Sequence, residues 1–515
     1  MADTLAATLI VPMLQRDPVT AAVPLTHLSL LVTINLAGIA GLLVAGGRLA
    51  DLLGRRGVLA AGLALFAAGG AAMTLGTSWL VLLAGRAVQG VGAAMMLPSA
   101  LGLLLASRSQ ERRRGGAAAL WSAATGCGGL LMHALGGWML DTHGWRALYL
   151  PLTATAAALL LLVAGLPRTQ AVRRTRPDLL GMAALVAATT ALVLLISLGG
   201  QWGWSSPAAA GAALVTAAGF VLAAVRTRHH PTGGIDASLW RCPGFGWGMA
   251  TSLLYGTCAF PILAMAPLLL REMGLRPASV GLVLMPLSAA VIAASLLTAR
   301  LARRAGTSWT IYAGGYLSAA ALLMLSTVPF TSAAGQAGLV LLGCGYGVLS
   351  TTATLAGTSG VPSDRYALAV GALSTARMLG GALGPAAALA YLDPFPGQVS
   401  MRYRDVLASV FAVTLLLALA GLIRAVRTGP VAGRLHPVAA PGGAASTSAG
   451  ATPPAPADVD TLRSALLRQR ARLEAMASAA EAELASLTDP RRSHTPVRVA
   501  PASLPTVVSP RGGPA

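Results

Sequence analysis

Residues 46–59 read GGRLADLLGRRGVL, a charged, glycine-rich interlude between two long apolar runs. The runs lie near 28–46 and 58–76. Each is long enough to cross most or all of a hydrocarbon core of ~30 Å at 1.5 Å of helical rise per residue. A loop this short must reverse the chain between two membrane helices, and Gly54 permits a left-handed backbone there. Asp51 stands beside Arg48, Arg55 and Arg56, where it can pair with them or face a helix N-terminus. A basic turn that only sets topology would account for the arginines, but not for the ordered spacing G-x-L-A-D-x-x-G-R-R.

Outward from this turn, apolar segments recur near 1–14, 28–46, 58–76, 80–105, 116–140, 147–166, 179–198, 208–225, 246–270, 279–299, 309–328, 336–357, 366–392 and 406–424. The chain of 515 residues is 55% hydrophobic and only 10% charged, with a mean hydropathy of +0.70. A soluble domain carries about 25% charged residues. These figures exclude a soluble enzyme, a secreted disulfide scaffold and a fibrous chain, and predict an all-α polytopic membrane protein of fourteen spans. The first segment is short: fourteen residues of helix reach about 21 Å. Either the true start lies upstream, or the first helix is expected to lack its cytoplasmic half.

Arginine placement sets the orientation. With the N-terminus inside, eighteen arginines fall in inner loops; the outer loops hold six, Arg16, Arg146, Arg271, Arg276, Arg402 and Arg404. Both termini are therefore expected in the cytoplasm, and the chain in the plasma membrane. The net charge of +20 fits a basic face beside anionic lipid better than a nucleic-acid surface. Cys127, Cys242, Cys258 and Cys344 form no CxxC pair and read as small apolar residues. From 425 to 515 the composition turns to Pro, Ala, Gly, Ser and Thr, which cannot bury a core. Within this tail, 458–488 has helix-forming composition, read as a lone solvated helix.

A second informative stretch is LLAGRAVQGVGAAMMLPSA, residues 82–100. Arg86 lies inside an apolar run, where a guanidinium is costly unless it faces a cavity or a partner. The bland alternative is an arginine reaching the interface from the outer end of its helix. Gln89 lies within about one turn of it. Gly90, Gly92, Ala93 and Ala94 are small enough for close helix packing.

GGRLADLLGRR resembles the loop 2–3 signature of the major facilitator superfamily, and L-x-x-x-R-x-x-Q-G-x-G-A-A matches that superfamily's helix-4 signature. The fourteen-span count resembles its drug:proton antiporter branch. DTLAATLIVP places Asp3 and Pro12 at the spacing of that branch's helix-1 signature, although Leu5 and Thr8 replace the expected Thr and Asn. GWRALY at 144–149, GGQWGWSSP at 199–207 and ARMLGGALGP at 376–385 are also similar to the branch.

The resemblance implies two six-helix bundles, 1–170 and 229–424, with an inserted hairpin of helices 7 and 8 at 171–228 and a tail at 425–515. One bundle would rock against the other to give alternating access. Gly47, Asp51, Gly54, Arg55 and Arg56 would form a conformational latch on the cytoplasmic side. Arg86, Gln89, Gly90 and Gly92 carry the helix-4 signature, and Asp3 would be the protonation site. The residues support that last role independently. Of seventeen acids, only Asp3 falls inside an expected span, and a membrane acid can trade a proton for a cationic substrate or a conformational change. Arg86 is its expected counter-charge.

The fifth span departs from the family pattern. Antiporters of this superfamily carry G-x-x-x-G-P-x-x-G-G there; this chain has GGLLMHALGG at 128–137, keeping Gly128, Gly136 and Gly137 but placing Met132-His133 in the Gly-Pro slot. Losing the proline is expected to remove a bend and restore a backbone hydrogen bond. His133 adds a group that titrates near neutrality, though a packed, hydrogen-bonded histidine is the commoner case. Leu30 and Asn35 stand where the branch shows aromatics. Trp121, Trp138, Trp247, Tyr255, Tyr316 and Tyr346 are positional candidates for a substrate cavity, against the plainer reading of anchors or core.

The expected function is export of a small organic molecule, such as a drug, antibiotic or endogenous metabolite, driven by proton exchange. The alternatives are an uptake symporter or facilitator of the same fold, and a non-transporting sensor acting through the tail. No catalytic triad, Walker-type loop or metal cluster is evident. The chain is expected to be no enzyme and to need no cofactor beyond the proton gradient. Its expected partners are a small-molecule substrate, protons and the lipid bilayer, with no nucleic acid, and it is expected to be a monomer.

Overall fold

Long apolar runs form helices because a backbone in lipid must satisfy its own hydrogen bonds. A computed structural model describes residues 30–107, 111–165, 178–229, 237–242, 244–392 and 399–428, together with Asp3, Ile10, Leu14, Val23, residues 17–20 and residues 25–28. The helices are α1 (Leu30–Leu53), α2 (Arg55–Leu75), α3 (Trp79–Ala106), α4 (111–143, with a π turn at Met132–Gly136), α5 (Tyr149–Ala164), α6 (Leu179–Trp202) and α7 (Pro207–His229). There follow α8 (Phe245–Glu272), α9 (Pro277–Ala305), α10 (Thr307–Thr327), α11 (Ala333–Thr358), α12 (Tyr366–Leu392) and α13 (Val399–Thr428).

These helices coincide one for one with the second to fourteenth apolar segments. Among the described residues, twelve spans are long and apolar enough to cross a membrane. The first segment, 1–14, lies outside the described residues except for Asp3, Ile10 and Leu14, all helical and buried. The tail helix at 458–488 also lies outside them, while 425–428, assigned to the tail by composition, continue α13.

Turn chemistry sets where the helices stop. Ser78, Asp178 and Ser332 each cap a helix by accepting from the backbone N–H three residues on. Asp178 also takes Arg226 Nη2 at 2.7 Å, tying the start of α6 to the end of α7. A single residue, Gly54 (φ 103°), separates α1 from α2. Gly306 (φ 87°) does the same between α9 and α10. Only glycine adopts such angles without strain, so the same device serves both halves of the chain.

α3 packs on α1 and α2, and α5 on α2; α11 packs on α9 and α10, α12 on α8, and α13 on α10. Contacts between the two sets run through α1 and α3 against α12, and α4 against α9 and α11. α6 and α7 pack on each other, and α6 lies against α1 and α12.

Candidate functional site

The 46–59 stretch is not an extended loop. Helix α1 continues to Leu53 and α2 begins at Arg55, which puts Asp51 on the last turn of α1. Asp51 and Arg55 are both buried. Arg55 donates to Asp51 Oδ1 from Nε at 2.9 Å and from Nη2 at 2.7 Å. It also reaches the carbonyls of Gly102 on α3 and Ser363 before α12. Asp51 Oδ2 accepts the Leu368 backbone N–H at 2.9 Å, so the carboxylate faces the N-terminal turn of α12, where helix dipoles favour an anion. Gly47 permits this approach: a Cβ there would lie 2.3 Å from the Ala367 carbonyl oxygen. Arg56 takes a different task, donating to the carbonyls of Val163 and Ala164 at the end of α5. Arg48, counted among the inner-loop arginines, is instead buried within α1.

The helix-4 signature maps to α3, and each named residue has a contact that explains it. Arg86 is 1% exposed, which rules out a guanidinium reaching the interface. Its Nη1 donates to Asp3 Oδ1 at 2.6 Å and to Gln89 Oε1 at 2.8 Å. Its Nε donates to the Leu31 carbonyl at 3.1 Å, and its guanidinium stacks over Tyr149, 5.7 Å from the ring centroid. The Arg86 carbonyl accepts Asn35 Nδ2 at 3.2 Å. Asp3 Oδ2 and Gln89 Nε2 are sealed from solvent with no partner among the described residues. Gly90 and Gly92 are contact glycines: a Cβ on Gly90 would lie 2.8 Å from the Asn35 carbonyl oxygen, and one on Gly92 2.5 Å from the Phe66 nitrogen.

The fifth-span signature gives a correction. Without proline, the stretch does not return to a regular α ladder but widens into the π turn Met132–Gly136, a feature frequent at functional sites. His133 is buried there. Its Nδ1 lies 3.1 Å from Ser288 Oγ on α9, while Nε2 has no partner among the described residues. The π turn is wedged against α9: a Cβ on Gly281 would lie 2.0 Å from the His133 carbonyl oxygen, and one on Gly137 2.3 Å from that of Pro277. Gly136 packs on Met132 Sδ, and Gly128 is half-buried on α4.

The aromatic candidates divide. Trp138 and Tyr316 are more than half exposed on the outer surface of their helices, as anchors would be, and Trp247 lies under the Arg424 guanidinium. Tyr255 and Tyr346 are buried and meet edge to face, 5.8 Å between centroids. Over the Tyr255 ring, 5.0 Å from its centroid, sits Arg377 of α12. Arg377 is a second arginine within an apolar span. Its signal was present: STARMLGG, residues 374–381, puts one charge in the middle of the 366–392 apolar run.

Comparison with known proteins shows the family and the fold. The family model described as Major Facilitator Superfamily matches residues 1–178 and 179–385. The multidrug resistance protein Stp of Mycobacterium tuberculosis is 31% identical over 350 residues, 67% of this chain but only 65% of Stp. The cephamycin export protein CmcT of Amycolatopsis lactamdurans is 31% identical over 394 residues, 74% of this chain and 81% of CmcT. The methylenomycin A resistance protein of Streptomyces coelicolor is 29% identical over 372 residues, 70% of this chain and 77% of that protein. Among solved structures, the human organic anion transporter MFSD10 superposes with a TM-score of 0.57 at 18% identity, covering 82% of this chain and 96% of MFSD10. The proton:xylose symporter XylE superposes with a TM-score of 0.56 at 14% identity, covering 81% of this chain and 93% of XylE. At these identities the structural likeness shows the fold alone.

Proposed function

The chain belongs to the major facilitator superfamily and is a multi-pass membrane transporter; on that premise we propose that it exports a small organic molecule in exchange for protons. The observation that carries the coupling is the buried pair of Asp3 and Arg86, with one carboxylate oxygen left without a donor among the described residues. Protonating Asp3 removes half of the ion pair and leaves Arg86 to its hydrogen bonds with Leu31 and Gln89. The balance between two packings of the helices that meet there then shifts with the proton. The export direction rests on the relatives, named for multidrug resistance, cephamycin export and methylenomycin A resistance.

In this reading the first six spans and the last six form two bundles, α6 and α7 are the inserted hairpin, and both termini face the cytoplasm of a plasma-membrane protein. The Asp51–Leu368 contact latches the cytoplasmic side by joining the end of α1 to the start of α12, with Gly47, Gly54, Arg55 and Arg56 shaping the same corner. Release of this latch admits substrate from the cytoplasm, and its closure accompanies release on the far side. The transporter performs no covalent chemistry, needs no cofactor other than the proton gradient, and works as a monomer.

Everted membrane vesicles from cells expressing the chain test the proposal. Given an inward-acid proton gradient and a panel of labelled antibiotics and metabolites, they should accumulate at least one compound, and collapse of the gradient should release it. Accumulation only in right-side-out vesicles would instead establish uptake, a reading that the Met132-His133 departure at the π turn permits. A chain truncated after Thr428 should transport as well as the full chain; its failure would point to a signalling role for the tail.

A further inference from the structure

We propose that Arg377 receives an anionic group of the transported molecule, which makes the substrate class of this transporter small organic anions. The proposal rests on the transporter reading above and adds the charge of the cargo. Arg377 lies eleven residues into α12, about 16 Å from its Asp51 end at 1.5 Å per residue, near the middle of a core ~30 Å thick. An arginine at that depth marks a pathway or a partner. Two buried arginines, Arg55 and Arg86, have acidic partners within the chain, Asp51 and Asp3. Arg377 has none. Among the described residues no carboxylate pairs with it, and its Nε is sealed from solvent with no acceptor. Among the described residues its charge-compensating contact is the face of Tyr255, which leaves the Nε edge of the guanidinium, of the kind suited to a carboxylate, without a partner there.

The surroundings are those of a polar binding floor. Tyr255 is ten residues into α8, and Ser122 eleven residues into α4, so both stand at the depth of Arg377 when measured from the same end. Ser122 Oγ lies 3.3 Å from Ser350 Oγ on α11, bridging elements assigned to opposite bundles, and Ser350 is one helical turn from Tyr346, the ring that meets Tyr255. Within a turn on these same helices, the hydroxyls of Thr251, Ser252 and Thr351 are buried and unpartnered. A guanidinium with this Nε edge and a set of unsatisfied hydroxyls suits a carboxylate carried on an apolar frame. A cationic cargo would meet like charge with no acid among the described residues paired to Arg377 to offset it.

The test uses the full chain in nanodiscs and three probes of one shape: 2-naphthoate, 2-naphthamide and (2-naphthylmethyl)trimethylammonium. Equilibrium dialysis should show 2-naphthoate bound at least tenfold more tightly than the other two. Arg377→Gln should erase that preference, Arg377→Lys should keep part of it, and Tyr255→Phe, which retains the ring, should keep nearly all. An amide or ammonium probe bound as well as the carboxylate by the unaltered chain overturns the proposal, as does no binding of 2-naphthoate or a preference that survives Arg377→Gln. The unaltered chain decides the question even if Arg377→Gln does not fold. Binding needs no gradient, so the two readings fail separately. Naphthoate binding without proton-driven transport sinks the exporter, whereas proton-driven transport of cations alone sinks only the anion site.

Discussion

The guanidinium of Arg86 and the carboxylate of Asp3 meet at 2.6 Å across 83 residues of sequence. Both are buried, and Gln89 and the Leu31 carbonyl hold the arginine in place from its other sides. Arg86 is fixed by several acceptors, whereas one oxygen of Asp3 has no donor among the described residues.

Asp3→Asn should therefore leave the protein folded and abolish gradient-driven accumulation, while gradient-independent exchange of substrate across the membrane persists. Arg86→Ala should be more damaging, because an acid left alone in a buried site costs about 3–5 kcal/mol when ionised. Counterflow and proton-driven uptake measured side by side in proteoliposomes check this. Undiminished proton-driven flux in Asp3→Asn would remove Asp3 from the mechanism.

At the opposite face, Asp51→Ala should open the seam between α1, α3 and α12. A hydrogen bond to a charged group contributes about 1.5–3 kcal/mol, so the closed state should lose roughly tenfold or more in population. A cysteine introduced at Leu104, which packs into that seam, reports the change through its rate of maleimide labelling. Labelling as slow as in the Leu104→Cys parent would show that Asp51 does not hold the seam.

The π turn makes a steric prediction that the helix signature did not. Gly281→Ala places a methyl against the His133 carbonyl, where the backbone must move. Overpacking of this kind costs about 1–3 kcal/mol, and the melting temperature in detergent should fall. Gly211→Ala on α7 is the matched control, since a Cβ there meets nothing within 4 Å. That substitution should be neutral or raise the melting temperature slightly.

Asp17 supplies a pH dependence. Burial pushes its carboxyl up, but hydrogen bonds from Trp145 Nε1 and the Val19 N–H, with the hydrogen-bonded charge of Arg146, outweigh that and hold it below the ordinary aspartate range. A depressed carboxylate stabilises the folded chain fully above its unfolded value of about 3.9. That contribution disappears as pH falls through the lower folded value. Melting temperatures between pH 7 and pH 3 should drop less steeply for Asp17→Asn than for the unaltered chain. Parallel curves would mean that Asp17 does not contribute.

Much of this was legible in the chain. Apolar length marked the thirteen long helices among the described residues, twelve of them long and apolar enough to cross a membrane, because a lipid-spanning helix needs about twenty consecutive apolar residues and little else. Charge in an apolar run marked Arg86 and Asp3, because such charges need partners. The same rule, applied along 366–392, would have marked Arg377. Small residues at regular spacing announced close contacts without saying with what.

Partners are what only the tertiary structure decided. Asp51 reads as a loop acid in the sequence, yet it sits on a helix end and faces Leu368, 317 residues away. Gly47 is one glycine among sixty until Ala367 comes within reach of its missing side chain. The Met132-His133 step reads as a straightened helix, but packing against Gly281 and Pro277 accompanies a π turn instead. Composition and spacing act locally, so they determine which segments enter the membrane and where charge is costly. The pairing of those charges depends on which helices pack together, and that is settled by contacts between residues hundreds of positions apart.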